Sequence, residues 1–195
     1  MRITGGNAAR RILKVPKGLN VRPTPDLVKQ AIFNSLGARV EGAKVLELFA
    51  GSGALSLESL SRGAASALCI EKSQKHANFI HHNATALPNA NLQARTQDVF
   101  TAIAQLVSVN AQFDLIFADP PYGEKNVGRR SESFAQKLLD NENLPKLLAP
   151  GGRFILGHTK RDTLEFPQVW HEVKMLKHGD TVMRFFETKS AQGKP

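Results

Sequence analysis

The chain reads as an α/β protein of the doubly wound kind: a mostly parallel seven-stranded sheet with helices on both faces and an antiparallel final strand. Three observations predict this. From residue 44 onward, short apolar runs alternate with segments of helical spacing, the pattern of successive βα units. The run 113–118 is almost continuously apolar, as in a strand buried on both faces, and it stops abruptly at Asp119-Pro120-Pro121-Tyr122. Near the end, the strand-like segments 170–176 and 181–187 flank Lys177-His178-Gly179-Asp180, too short a link for a crossover helix, so these two must pair antiparallel.

Residues 1–23 carry Arg2, Arg10, Arg11, Lys14, Lys17 and Arg22 and no acidic residue. Gly5-Gly6 reads as a turn between short strands at 2–4 and 11–15, so a basic hairpin arm is expected ahead of a main domain, 24–188. Thr24 is expected to cap the first helix, with Pro25 at its first position and Asp26 at the positive end of its dipole. Apolar spacing carries that helix to Gly37. Strands are expected at 44–49, 67–71, 92–95, 113–118 and 153–157, the last starting after Pro150-Gly151-Gly152. Helices are expected at 54–61, 74–85, 99–107 and 133–140, with a short one at 144–148. The tail 189–195 should be frayed.

The 195 residues suffice for one domain with a sizeable core. A net charge of +9, from 26 basic against 17 acidic residues, favours a polyanionic partner, nucleic acid before an anionic membrane. A single cysteine, Cys69, excludes an internal disulfide framework, and the six histidines show no metal-ligand spacing, so no metal is expected. The start Met1-Arg2-Ile3-Thr4-Gly5-Gly6 has no apolar core of a signal peptide, and a cytoplasmic protein is expected.

Two stretches carry chemistry. In Asp119-Pro120-Pro121-Tyr122 the prolines end the strand and stiffen the backbone, holding a carboxylate, the Pro120 carbonyl and an aromatic ring at the carboxyl end of a central strand. Carboxylate and carbonyl only accept hydrogen bonds, which suits an exocyclic amine with two protons to donate, and Tyr122 offers a face for a nucleobase. In 45–56 the order strand, Gly51-Ser52-Gly53, helix brings backbone close to a ligand at a helix N-terminus. A Walker A loop is excluded because no lysine follows the glycines. A dinucleotide fingerprint is nearly met, with Ser56 as its third small residue, but it has no use for Asp-Pro-Pro-Tyr. A methyltransferase loop wants an acid just before it, and Glu47 supplies one. Both of those readings expect an acid at the end of the second strand; Glu71, about 20 residues after Gly51, can accept from a ribose diol.

Asp-Pro-Pro-Tyr resembles the signature of S-adenosylmethionine-dependent methyltransferases that modify nucleobase amino groups. The likeness runs further. Arg2 to Gly6, Arg22-Pro23-Thr24, 31–36, 48–58, 61–64 and Gly179-Asp180-Thr181 are similar to the bacterial 16S rRNA guanine-N2-methyltransferases of the RsmD type. The resemblance implies the class I methyltransferase fold with strand order 3-2-1-4-5-7-6 and S-adenosyl-L-methionine as cofactor. It implies methylation of one guanine N2 in 16S rRNA, free or within an assembling small subunit, by a monomer that needs no membrane. Implied to hold the cofactor are Glu47, Phe49, Gly51, Ser52, Gly53, Glu71, Lys72, Asp98, Val99 and Asp119, with Asp98 taking the adenine amine unless it merely caps a helix. Asp119, Pro120 and Tyr122 are expected to do the chemistry. Arg2, Arg10, Arg11, Arg22, Thr24, Lys125, Arg129 and Arg130 are expected to meet RNA, together with Tyr122. A DNA adenine-N6 methyltransferase and a non-catalytic RNA-binding module of the same fold are the alternatives. The chain departs from the family pattern at Ala9-Arg10-Arg11, at Leu27 and Lys29, and at Gly157-His158, where a glutamate commonly ends strand five.

Overall fold

The computed structural model describes residues 1–15, 24–122 and 130–189. Lys17, Arg22, Lys125, Arg129 and the tail from 190 lie outside the described residues. Helix α1 (Asp26–Leu36) precedes β1 (Lys44–Leu48), α2 (Ala54–Ser61), β2 (Ser66–Glu71), α3 (Gln74–Ala84), β3 (Leu92–Thr96), α4 (Val99–Ser108) and β4 (Phe113–Ala118). Then come α5 (Phe134–Leu139), a 3-10 turn (Leu144–Leu147), β5 (Leu148–Thr159), β6 (Trp170–His178) and β7 (Thr181–Thr188). The strands form one sheet in the order β3-β2-β1-β4-β5-β7-β6. β1 to β5 are parallel, and β7 runs antiparallel to β5 and β6.

Strand periodicity sorts the core into two layers. Leu46, Leu48, Ile116 and Ala118 pack with residues of α4 and α5. Val45, Leu115 and Phe117 point the other way, onto Val28, Ile32 and Phe33 of α1 and Leu55 of α2. Asp119 continues the odd-numbered set of β4 and therefore leaves the strand on the α1 side.

Three expectations are corrected. β5 begins at Leu148, not Arg153; Pro150-Gly151-Gly152 is absorbed as an irregularity, the register jumping from Phe113↔Leu148 to Leu115↔Arg153. The arm is not a regular two-stranded hairpin but is closed by one antiparallel bridge, Arg2↔Ile12. Thr24 does not cap α1: Pro25 holds the cap position without a side-chain bond, and the Thr24 hydroxyl donates to Asp119 instead.

Residues 1–15 are bolted to the domain. Ile3, Ala8 and Leu13 are buried against Ala54 and Leu57 of α2 and Leu87. Gly6, at φ 77°, lies so close to the end of α2 that a Cβ would sit 1.8 Å from the Ser61 carbonyl oxygen. Beneath this seam is Glu58, with no exposed side chain. It accepts from the Thr4 amide and hydroxyl, both at 2.7 Å, and from Arg62 Nε at 2.8 Å. Lys29 of α1, also fully buried, stands 3.8 Å from Glu58 and 3.2 Å from Asp26, and its ammonium donates to the Arg2 carbonyl.

Removing one member of a buried ion network strands the other charge. Glu58→Ala should therefore cost about 3–5 kcal/mol in urea unfolding. Adding Lys29→Met should recover part of that loss, because the stranded ammonium goes with it.

Candidate active site

The predicted cofactor and catalytic residues follow the carboxyl ends of β3, β2, β1 and β4. The chain leaves β1 toward β2 and β3, then crosses back to β4 on the other side, so the β1/β4 crevice is a topological switch point, where open α/β sheets bind ligands. After β1 the backbone turns through left-handed conformations at Phe49 (φ 55°), Gly51 (φ 54°) and Gly53 (φ 73°). A Cβ on Gly51 would meet nothing within 4 Å, so this part of the loop faces open space.

Glu47 lies beneath the loop. Its carboxylate accepts from the amides of Leu55 (3.3 Å) and Ser56 (2.8 Å), filling the N-terminus of α2. Burial pushes its pKa up to about 7, against the pull of those hydrogen bonds. Cys69, buried beside it, donates to Ser56 Oγ at 3.2 Å, and burial followed by the Glu47 charge pushes the thiol well up. Glu71 accepts from the Gly51 amide and from the Ser73 amide, each at 2.8 Å, tying the end of β2 to the glycine loop.

Asp98 caps α4, its Oδ1 accepting from Phe100 (3.0 Å) and Thr101 (3.3 Å). Oδ2 faces Lys72 Nζ at 3.4 Å. A burial penalty is outweighed by the Thr101 amide, Lys72 and the Phe100 amide, which hold this carboxyl below its ordinary value. Val99 is buried in the core behind it. Phe49, an expected cofactor residue, stands with two rings that sequence reading missed, 5.3 Å from Phe134 and 6.5 Å from Phe100, ring centre to ring centre. The signal was there, since Phe100 follows the Asp98-Val99 pair and Phe134 opens a helix.

The corner Asp119 to Tyr122, the expected clamp for an amine, is tightly built. Asp119 Oδ2 accepts from Thr24 Oγ1 at 2.7 Å, while Oδ1 is buried without a hydrogen-bond partner among the described residues. A Cβ on Gly157 would lie 2.3 Å from that Oδ1, so the carboxylate rests on the bare backbone of β5. No side chain at this position would fit with Asp119 so placed. Burial pushes the Asp119 pKa up to about 6, partly offset by the Thr24 hydrogen bond. Pro120 is buried. Tyr122 is exposed, and its hydroxyl stands 3.1 Å from Thr181 Oγ1, which gives Gly179-Asp180-Thr181 a place at the site. Next to Gly157, His158 accepts from Arg184 Nε at 2.9 Å; burial and then the Arg184 charge hold it below its usual value.

The expected RNA contacts divide. Arg10 and Arg11 are exposed, and the Arg11 guanidinium donates to the Ala86 carbonyl. Arg2 pairs with Asp26 at 3.3 Å. Arg130 is engaged by Asp140 (2.8 Å) and Glu165 (3.0 Å). Among the described residues, no group of three or more His, Cys, Asp or Glu side chains is placed to hold a metal, and no helix is long and apolar enough to cross a membrane.

A sheet in this order, with its reversed seventh strand, is the class I S-adenosylmethionine-dependent methyltransferase fold. A hypothetical protein of Thermus thermophilus superimposes with a TM-score of 0.78 at 26% identity, covering 96% of this chain and 99% of that one. A T. thermophilus 16S rRNA N2 methyltransferase solved with AdoMet and guanosine superimposes with a TM-score of 0.66 at 27% identity, over 87% of this chain and 44% of that one. The profile of the family described as "Conserved hypothetical protein 95" matches residues 1–187, and the chain belongs to that family. It is 34% identical over 189 residues to the "Ribosomal RNA small subunit methyltransferase D" of Haemophilus influenzae, covering 96% of this chain and 93% of that protein. The protein of that name in Escherichia coli K12 is 36% identical over 122 residues, 63% of this chain and 60% of its own length.

The residues present fit the cofactor of this fold. The face of the loop at Gly51 is open, and Glu71 and Asp98 are acceptors suited to ribose hydroxyls and an adenine amine. Glu71→Ala should weaken S-adenosylmethionine binding about tenfold, or roughly 1.4 kcal/mol, in calorimetry. Unchanged affinity in the folded variant would remove Glu71 from the site. Gly157→Ala should leave that affinity intact but displace the Asp119 carboxylate, lowering methyl transfer roughly a hundredfold, the scale of a 1 Å misplacement.

Proposed function

We propose that the protein methylates the exocyclic N2 of a guanine in 16S rRNA, free or in an assembling small subunit, working in the cytoplasm as a monomer. The observation that carries this reading is the Asp119 carboxylate, with one oxygen pinned by Thr24 and the other lacking a partner among the described residues, beside an aromatic ring at the switch point. Its relatives named for the small-subunit rRNA support the choice of substrate.

Bound S-adenosylmethionine would supply an electrophilic sulfonium methyl. The protein's task is then the nucleophile, because the guanine N2 lone pair is delocalised into the ring. Hydrogen bonds from the amine to Asp119 and the Pro120 carbonyl favour a more pyramidal nitrogen. They also stabilise the positive charge that grows on it, by about 3 kcal/mol for a well-placed group. Thr24 and Gly157 fix the Asp119 rotamer in advance, so little reorganisation is left for the reaction. The target base leaves its stack, and the Tyr122 face returns about 1–3 kcal/mol. Its hydroxyl is anchored by Thr181, so Tyr122→Phe loosens the ring whereas Tyr122→Ala removes it. With its raised pKa, Asp119 is also a competent acceptor for the proton that the methylated nitrogen releases.

The test is methyl transfer from S-adenosylmethionine to 16S rRNA and to small-subunit particles from cells lacking the protein, read by nucleoside mass spectrometry as N2-methylguanosine. Methyl on adenine N6 of DNA, or no transfer by protein that binds the cofactor, would overturn the proposal. Asp119 accepts fully only when ionised, so single-turnover rates should fall as the pH drops through about 6. Thr24→Val removes the hydrogen bond that lowers this pKa and should move the midpoint upward, toward alkaline pH.

A further inference from the structure

We infer that the outward face of α3 is a second RNA-binding surface, continuous with the basic arm and held in register with it. The inference rests on the rRNA reading above. Two stretches of the chain, 1–25 and 72–97, contain no acidic residue. The fold joins them. Lys14 donates its amide to Asn83 Oδ1 at 2.8 Å, and Asn83 Nδ2 donates back to the Lys14 carbonyl at 2.8 Å. Arg11 adds its hydrogen bond to Ala86, one turn on.

The exposed residues of α3 are Gln74, Lys75, Asn78, His81, His82 and Thr85 at its end. Their spacing places them on one stripe of the helix, about 16 Å long. Every one can donate a hydrogen bond and none is acidic. Arg95 on the neighbouring edge strand β3 is exposed as well. A stripe of donors beside Arg10, Arg11 and Lys14 suits a phosphate backbone, which neutral side chains and cations can follow without reading sequence. The stripe is also coupled to the candidate site. The Asn83 amide that holds the arm donates to the Ser52 carbonyl of the glycine loop at 3.0 Å, and α3 starts shortly after Glu71. RNA lying across the arm and α3 is thereby registered against the cofactor loop.

The experiment compares the wild type with Lys75→Glu/His81→Glu/His82→Glu and with the milder Lys75→Gln/His81→Gln/His82→Gln. Both leave the arm, the clamp and the glycine loop unchanged. Calorimetry with S-adenosylmethionine should give the same affinity in all three, showing an intact fold. Binding to a 16S rRNA fragment should weaken at least tenfold in the Glu variant and less in the Gln variant. For each phosphate no longer neutralised, the plot of log affinity against log salt should flatten by about 0.7–0.9. In methyl transfer KM should rise while kcat holds. Wild-type RNA affinity and salt slope in the Glu variant would overturn the inference while leaving the proposed reaction standing. A wild type that binds no RNA would overturn both. Loss of binding to phosphatidylglycerol vesicles, with RNA affinity unchanged, would overturn it in favour of a membrane.

Discussion

One buried carboxylate, Glu58, decides how the front of this protein is assembled. It receives the arm through Thr4, α1 through Lys29 and its own helix through Arg62. Such a network is weak evidence for net stability, since desolvating the charges offsets much of their attraction. What it enforces is geometry: an arm or α1 in another register leaves a buried charge unpaired. Because α1 is locked in this way, Thr24, just ahead of it, arrives at Asp119. The catalytic proposal thus depends on an ion network outside the cleft.

This division explains what was legible in the sequence. The glycine loop, Asp-Pro-Pro-Tyr and the alternation of strands and helices are written in local signals, namely φ-permissive residues, proline stops and apolar runs, and they fall where expected, whereas the strand order came from the family resemblance. The role of Thr24 was not legible. Thr-Pro-Asp is a good helix start by every local rule, and the partner that claims its hydroxyl lies 95 residues away. The start of β5 was missed because Pro-Gly-Gly looks like a break, and only the pairing with β4 shows that a bulge can absorb it. Asp98 was left between cap and ligand, and the structure shows the cap plainly. Glu47 was read as a loop acid, and its place under α2 needed coordinates, since one strand face meets that helix and the other does not.

Glu47 and Asp119 are both carboxylates driven upward by burial, yet their surroundings differ in a way that separates their roles. Glu47 has both oxygens engaged by backbone amides of α2 and a thiol close by. These bonds tie it, from beneath, to the start of α2. Asp119 has one oxygen bonded by the neutral Thr24 hydroxyl and one buried oxygen with no partner among the described residues. A buried acceptor left unsatisfied costs about 1–3 kcal/mol, a cost that a donor on a bound ligand would relieve.

The sign of that cost can be followed with pH. For Asp119 the folded pKa, about 6, lies above the ordinary carboxylate value near 4. Below both values the group is protonated in either state and contributes no penalty. Between them the unfolded chain ionises first, and folding loses stability progressively. Above about 6 the penalty is complete, so at neutral pH the ionised clamp works against the fold. Thr24 reduces the burden with a hydrogen bond to the charged form, and Gly157 allows the carboxylate to sit flat against β5 where no side chain could. The bare backbone at Gly157 is therefore coupled to the Asp119 rotamer. A bulkier residue there and this Asp119 rotamer exclude one another.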